Sequence, residues 1–314
     1  MEHRKEYSEK VVNKIREKLS EAFPKDSKIS VVVTGSFGRN EASEASDMDW
    51  FVVVDEQYSE SVIEQYSESV RETVGCIVNE HVNKNVGDTG TFGGIVRKDE
   101  LLVNFGGDED TNQKFTRRML YLLESKWLFN ENLYNELKRE ILSRYIKVGV
   151  TDSGLNRFIL NDVIRYYRTI CTDYEFKVYE NDKKWGVRKI KLRFSRKLLY
   201  FSGLITVAST GSMSRELKLQ KTEELLSLSP IDRIQKIFGK EQTSTMMEYY
   251  SEFLEKISKE EVRQSLDEVK RENRNQNEHY RNLKNLSEHF NWEMEKCFVQ
   301  GFPPSHPIHA AMLF

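Results

Sequence analysis

At 314 residues, with 38% hydrophobic and 31% charged residues, the chain is long enough for two or three domains with cores of their own and too apolar to be disordered. A formal net charge of −2, from 48 Lys and Arg against 50 Asp and Glu, argues against gross attraction to nucleic acid, although a local basic groove stays compatible with it. The dispersed cysteines Cys76, Cys171 and Cys297 suggest neither a disulfide framework nor a zinc site, and with a highly charged N-terminus and no long apolar run they lead us to expect a cytoplasmic protein with no membrane contact.

In chain order, Val11, Val12, Ile15, Leu19 and Phe23 recur at helical spacing and predict an amphipathic helix over 4–22, ended by Phe23-Pro24-Lys25-Asp26-Ser27. An apolar strand over 29–34 follows, then a Gly35-Ser36 turn, a short helix over 37–45 and a second strand over 47–55. Glu-Gln-Tyr-Ser-Glu-Ser-Val occurs twice in 56–70, which sets Tyr58, Val62, Tyr66 and Val70 four apart as one helical stripe. A third strand is expected near Cys76–Val82. From residue 111 the pattern turns helical. One helix carries Phe115 to Phe129, and others cover 131–145, 153–176 and 186–206. Ser209-Thr-Gly-Ser-Met-Ser214 is the best break in the second half. Polar helices follow at 215–226, 229–239, 242–257 and 259–297, and the prolines of 302–314 forbid a regular helix throughout that tail. The expected fold class is α+β, a small mixed sheet with flanking helices followed by a helical bundle. The expected domains are 1–110, 111–208 and 209–314.

The chemistry concentrates at 35–49, Gly-Ser-Phe-Gly-Arg-Asn-Glu-Ala-Ser-Glu-Ala-Ser-Asp-Met-Asp. Strand side chains alternate, so Asp47 and Asp49 share one face while Met48 takes the other. Two carboxylates about 7 Å apart along a strand can share divalent cations, and Mg²⁺ takes carboxylate oxygens together with substrate phosphates. Gly35 lets the backbone approach a phosphate, Ser36 offers a hydroxyl, and backbone N–H groups at the next helix start attract anions.

Gly-Ser, ten residues and Asp-x-Asp together resemble the signature of the DNA polymerase β nucleotidyltransferase superfamily. The Gly38-Arg39-Asn40-Glu41 and Ser46-Asp47 version is similar to the PII-uridylyltransferase-like putative nucleotidyltransferases of bacteria and to the minimal nucleotidyltransferases. The resemblance implies that Asp47 and Asp49 are catalytic and bind Mg²⁺ (or Mn²⁺). It also implies that Gly35, Ser36 and Arg39 hold a nucleoside triphosphate, and that a third carboxylate completes the site. Glu80 is the acidic residue of the expected third strand. Asp88 lies in the loop after it, and Asp108, Glu109 and Asp110 follow a Gly-Gly pair where capping of the next helix is the competing role.

The resemblance extends to residue 205 through Asn161-Asp162, Arg165-Tyr166, Asp173, Lys177, Trp185 and the run 188–197. Lys191, Ser195 and Lys197 are expected nucleotide contacts there, a solvated basic face being the equal reading for Lys191 and Lys197, and Asp162–Arg165, three apart on one helix face, is readable as a structural ion pair. The activity implied is transfer of a nucleoside monophosphate from an NTP to an acceptor hydroxyl with release of pyrophosphate. The near-neutral charge favours a protein or small-molecule acceptor over nucleic acid. Two other readings stand beside it. One is an RNA-directed enzyme, either a 3′-end nucleotidyltransferase or a ribonuclease using Arg274 and His279, whose Arg-x4-His spacing resembles the HEPN motif. The other is a catalytically silent nucleotide-binding module.

Overall fold

Among the described residues a four-stranded sheet forms in the order β3-β2-β1-β4, and its register follows from alternate burial of short apolar runs. The computed structural model describes residues 1–55, 60–82, 93–147, 154–179 and 184–313. Strands β1 (Ile29–Val33) and β2 (Trp50–Val54) pair antiparallel with Val31 opposite Val52, while β3 (Ile95–Arg97) runs parallel to β2. On the other side β4 (Lys126–Phe129) pairs antiparallel with β1, with a register shift between Val31 and Val32. Ile29, Val31, Val33, Trp50, Val52 and Val54 form one core with Val11, Val12, Ile15 and Leu19 of helix α1 (Glu2–Ala22) and with Val70, Val74 and Val78 of α3 (Glu60–His81). Phe51, on the opposite face, meets Tyr121 of α4 (Asn112–Leu123), ring centroids 6.4 Å apart, and Tyr121 in turn packs on Tyr134 of α5 (Glu131–Tyr145). Helices therefore cover both faces of a mixed sheet, the α+β class expected.

Several expected elements differ in the structure. The strand over Cys76–Val82 is the end of α3, because Val70, Val74, Val78 and Val82 continue a four-residue repeat and all are buried. The helix expected to run to Phe129 stops at Leu123, and Lys126–Phe129 joins the sheet as β4. The stripe expected at Tyr58, Val62 and Tyr66 lies outside the described side chains, as do Asp88 and Lys177.

By backbone contacts the chain divides into two units, Met1–Tyr145 and Ile146–Phe314, so residue 110 falls inside the first. The second unit is helical: α6 (Arg157–Tyr179), α7 (Trp185–Lys191), a π-helical turn over Leu192–Arg196, and α8 (Lys197–Ser209). It continues with α9 (Arg215–Ser227), α10 (Pro230–Phe238), α11 (Lys240–Ser258), α12 (Glu260–Asp267), α13 (Glu278–Gly301) and α14 (Pro307–Leu313). Helix α8 is buried nearly all round and serves as the core helix of this unit. Phe194 stacks on Phe253 at 4.2 Å and meets Phe290 at 5.3 Å. The single helix expected over 259–297 is broken at 268–277, where Asn277 accepts from the Tyr280 N–H at 2.9 Å and starts α13 afresh. Among the described residues no helix is long and apolar enough to cross a membrane.

Candidate active site

The turn after β1 and the aspartates before β2 lie at the same end of the sheet, because the antiparallel pairing of β1 and β2 returns the chain there. The Thr34 N–H donates to the Asp49 carbonyl at 2.8 Å and carries the ladder one step past Val33–Trp50. Gly35 then adopts φ +67°, in the left-handed region that glycine enters without Cβ strain. A Cβ on residue 35 would stand 2.8 Å from Asp49 Oδ2, so the missing side chain is what lets the turn and the carboxylate come together. Helix α2 is a single turn, Gly35–Gly38, and not the helix over 37–45 that the sequence suggests. Ser36 is half-buried, and its carbonyl accepts the Glu41 N–H at 2.8 Å.

Asp47 and Asp49 lie just before the strand rather than in it, Asp49 adjoining Trp50. Met48 is fully buried in the sheet–α1–α3 core, whereas Asp47 is exposed and Asp49 half-buried. The Ser46 hydroxyl accepts from the Ser43 N–H at 3.0 Å and closes the turn that delivers Asp47. Strand β3 enters at this end too, with the Gly93 N–H donating to the Trp50 carbonyl at 2.6 Å and the Val52 N–H to the Gly94 carbonyl at 3.0 Å. Arg117 of α4 is buried, and its Nη2 is 3.7 Å from where a Cβ on Gly94 would stand. Burial pushes its guanidinium below the usual arginine range, and the nearby Glu100 pulls it back.

Arg39 is expected to hold phosphate, and the structure sets it between two buried acids. Its Nε donates to Glu41 Oε2 at 2.8 Å and its Nη1 to Glu124 Oε2 at 2.5 Å. Glu124 also accepts the Gly35 N–H through Oε1 at 3.1 Å, and its backbone carbonyl lies 2.1 Å from where a Cβ on Gly38 would be. Sequence reasoning missed Glu124. Its place as the C-cap of α4, where a negative charge opposes the helix dipole and so implies a partner elsewhere, emerges only once the helix is seen to end at Leu123. Lys126 donates to the Asn40 side chain, and Asn40 itself has φ +62°.

The other expected site residues lie on several elements of the two units. Glu80 is exposed on α3 and Asp108 is exposed in a turn. Asp110 is buried, bonded to Arg118 Nη2 at 2.8 Å and to the Gly106 N–H at 3.0 Å, while Thr111 rather than an aspartate caps α4. In the second unit Lys191 is exposed, whereas Ser195 is buried and accepts from Tyr250 Oη at 3.2 Å. Lys197 is half-buried and donates to Asn291 Oδ1 at 2.8 Å. It shares its helical run with Lys189 and Arg193, four apart in sequence, and both lysines are pushed below their usual range by burial and then by the charge of Arg193. Asp162 and Arg165 form an ion pair at 3.9 Å. Arg274 lies in the 268–277 break with its Nη1 on the Arg271 carbonyl at 2.7 Å, and His279 is exposed on α13.

The donor set at 47–49 is oxygen from carboxylates, which suits a hard cation such as Mg²⁺ or Mn²⁺. Among the described residues no cluster of three His, Cys, Asp or Glu side chains could hold a metal. The pair fits the arrangement in which one or two carboxylates and substrate phosphates share the ion. No curated protein matches the chain. Residues 12–148, the sheet together with its flanking helices, match the family model of the nucleotidyltransferase domain, and the similarity supports nucleotidyl transfer as the general activity of this region.

Proposed function

We propose that the protein is a metal-dependent nucleotidyltransferase that moves a nucleoside monophosphate from an NTP to a hydroxyl on a protein or small molecule. The observation that carries the reading is the closeness of Gly35 to the Asp49 carboxylate. It ties a turn suited to phosphate to a pair suited to Mg²⁺. The match over 12–148 supports the reaction class. The net charge of −2 favours an acceptor other than nucleic acid.

In the reaction the acceptor oxygen forms a bond to the α-phosphorus, the bond from that phosphorus to the bridging oxygen breaks, and pyrophosphate leaves. The acceptor proton passes to a carboxylate or to water. Bound Mg²⁺ supplies neutralisation of the triphosphate and polarisation of the acceptor oxygen. Asp47 and Asp49 hold the ion in place. Ser36 offers its hydroxyl and N–H to phosphate oxygens, and Gly35 contributes room rather than a donor, since Glu124 takes its N–H. Catalysis then rests on positioning and on charge stabilisation.

The test is incubation of the pure protein with each α-labelled NTP, Mg²⁺ and fractionated cell extract. Label is expected in a protein or small-molecule fraction, with pyrophosphate released in equal amount. Label confined to RNA 3′ ends, or no transfer with any of the four nucleotides, contradicts the reading.

A further inference from the structure

Glu124 stands at an electrostatically unfavourable position, the C-terminal end of α4, where the free carbonyls already carry partial negative charge. It is 3% exposed, so water does not relieve that cost. Its contacts explain why the arrangement persists. Oε1 takes the Gly35 N–H, Oε2 takes Arg39 Nη1, and the main-chain carbonyl lies against Gly38. One residue thus meets the first residue, the last residue and the C-cap of the single helical turn α2. The contacts span 85 and 89 residues of sequence, so they join α4 to the glycine turn as a tertiary tie.

Asp49 acts from a second direction. With Asp49 Oδ2 2.8 Å from where a Cβ on residue 35 would be and the Glu124 carboxylate on the Gly35 N–H, Gly35 lies between two acids. Arg39 is the counter-charge that makes this tolerable. Its guanidinium is shared by Glu124 and Glu41, both buried, so its charge is spent inside the protein rather than offered to a phosphate.

We propose that Glu124 is a positioning residue for nucleotide binding: by gripping the Gly35 N–H and Arg39 it fixes where the Ser36 hydroxyl and N–H stand relative to the Asp49 carboxylate. The inference rests on the nucleotidyltransferase reading above. It adds that the turn is set before the triphosphate arrives, by an acid that touches neither phosphate nor metal. A displacement of the order of 1 Å in such a turn is enough to cost about 10²-fold in rate.

The test compares Glu124→Gln, Glu124→Asp and Glu41→Gln by calorimetric titration with the four Mg·NTPs, by steady-state transfer and by thermal unfolding. Glu124→Gln turns an amide towards Arg39. Glu124→Asp keeps the charge but shortens the reach to Gly35, and it carries the test if the Gln variant fails to fold. Glu41→Gln removes a carboxylate from the same arginine and leaves Glu124 in place. The expected result is that both Glu124 variants weaken NTP binding tenfold or more and lower kcat as well. Glu41→Gln should lose a comparable amount of thermal stability yet bind NTP within threefold of wild type. Wild-type affinity in the Glu124 variants overturns the proposal, and so does an equal loss of affinity in Glu41→Gln, which would reduce Glu124 to structural support. If wild type binds none of the four nucleotides, the nucleotidyltransferase reading itself falls and takes this role with it.

Discussion

Among the buried arginines, Arg39 of the first unit and Arg233 of the second are satisfied in different ways. In the second unit Arg233 is fully buried and meets neutral acceptors: Nε on the Leu225 carbonyl at 2.9 Å, Nη2 on the Leu228 carbonyl at 3.0 Å and Nη1 on the Ser202 hydroxyl at 2.8 Å. These carbonyls terminate α9, so Arg233 ties off a helix end with a cation where the dipole favours one. In the first unit Arg39 meets the carboxylates Glu41 and Glu124 beside a left-handed glycine and the Asp47–Asp49 pair. Arg233 closes off main-chain carbonyls. Arg39, beside the candidate site, compensates the acid that holds the turn. The glycines repeat the contrast. A Cβ on Gly38 would fall 2.1 Å from the Glu124 carbonyl, and one on Gly186 would fall 2.2 Å from the Leu266 carbonyl. The packing constraint is the same, and only the first borders the proposed chemistry.

The largest effect that sharpens this comparison is expected at the aspartates. Asp47→Asn or Asp49→Asn should lower nucleotidyl transfer by roughly 10²–10³-fold or more, with the melting temperature of Asp47→Asn unchanged because that side chain is exposed. Chelation of divalent ions should remove transfer to the same degree, and Mn²⁺ should restore it. Next comes Arg233→Met, which leaves two carbonyls and a hydroxyl without their donor. A loss of about 2–3 kcal/mol in urea unfolding is expected, with no change in NTP affinity at temperatures where the variant is folded.

Gly38→Ala and Gly186→Ala form a matched pair in which each forces a backbone shift worth about 1–3 kcal/mol. Equal destabilisation is expected by thermal unfolding, but only Gly38→Ala should weaken NTP binding. Equal weakening would erase the distinction between the regions. The smallest effect concerns Lys189, whose folded-state pKa is depressed by burial and then by Arg193. Above its depressed value and below its ordinary one, the unfolded chain binds more protons, so stability rises with pH through that window. Lys189→Met should therefore be more stable than wild type at neutral pH, and the difference should vanish as pH approaches the ordinary lysine range in a series of urea melts.

The first unit was legible where local pattern and chemistry agree. Apolar runs flanking Gly35-Ser36 and Asp47-Met48-Asp49 foretell β1, the turn and β2, and Met48 is buried. The stretch 76–82 misled because Ile77, Val78 and Val82 are β-branched, a preference that tertiary packing overrides. The repeat of Val70, Val74, Val78 and Val82 was the better guide. Strand β4 was hidden because Leu128 and Phe129 extend the apolar content of α4 across the break at Glu124-Ser125. Glu124 itself was out of reach of any motif, since its partners lie 85 and 89 residues away in sequence. In the second unit Lys191 and Ser195 are both expected to contact nucleotide from a regular helix over 186–206. Residues 192–196 form a π-helical turn instead, with Lys191 exposed and Ser195 buried.

The most direct measurement is amide NMR of the full chain titrated with Mn²⁺ and an NTP that it binds, with Mg²⁺ and the same NTP as the diamagnetic control. If the glycine turn and the aspartate pair make one nucleotide site, the amide signals of Gly35, Ser36 and Asp49 broaden together with Mn²⁺ and persist with Mg²⁺. Broadening that spares all three while other signals are lost would contradict the account.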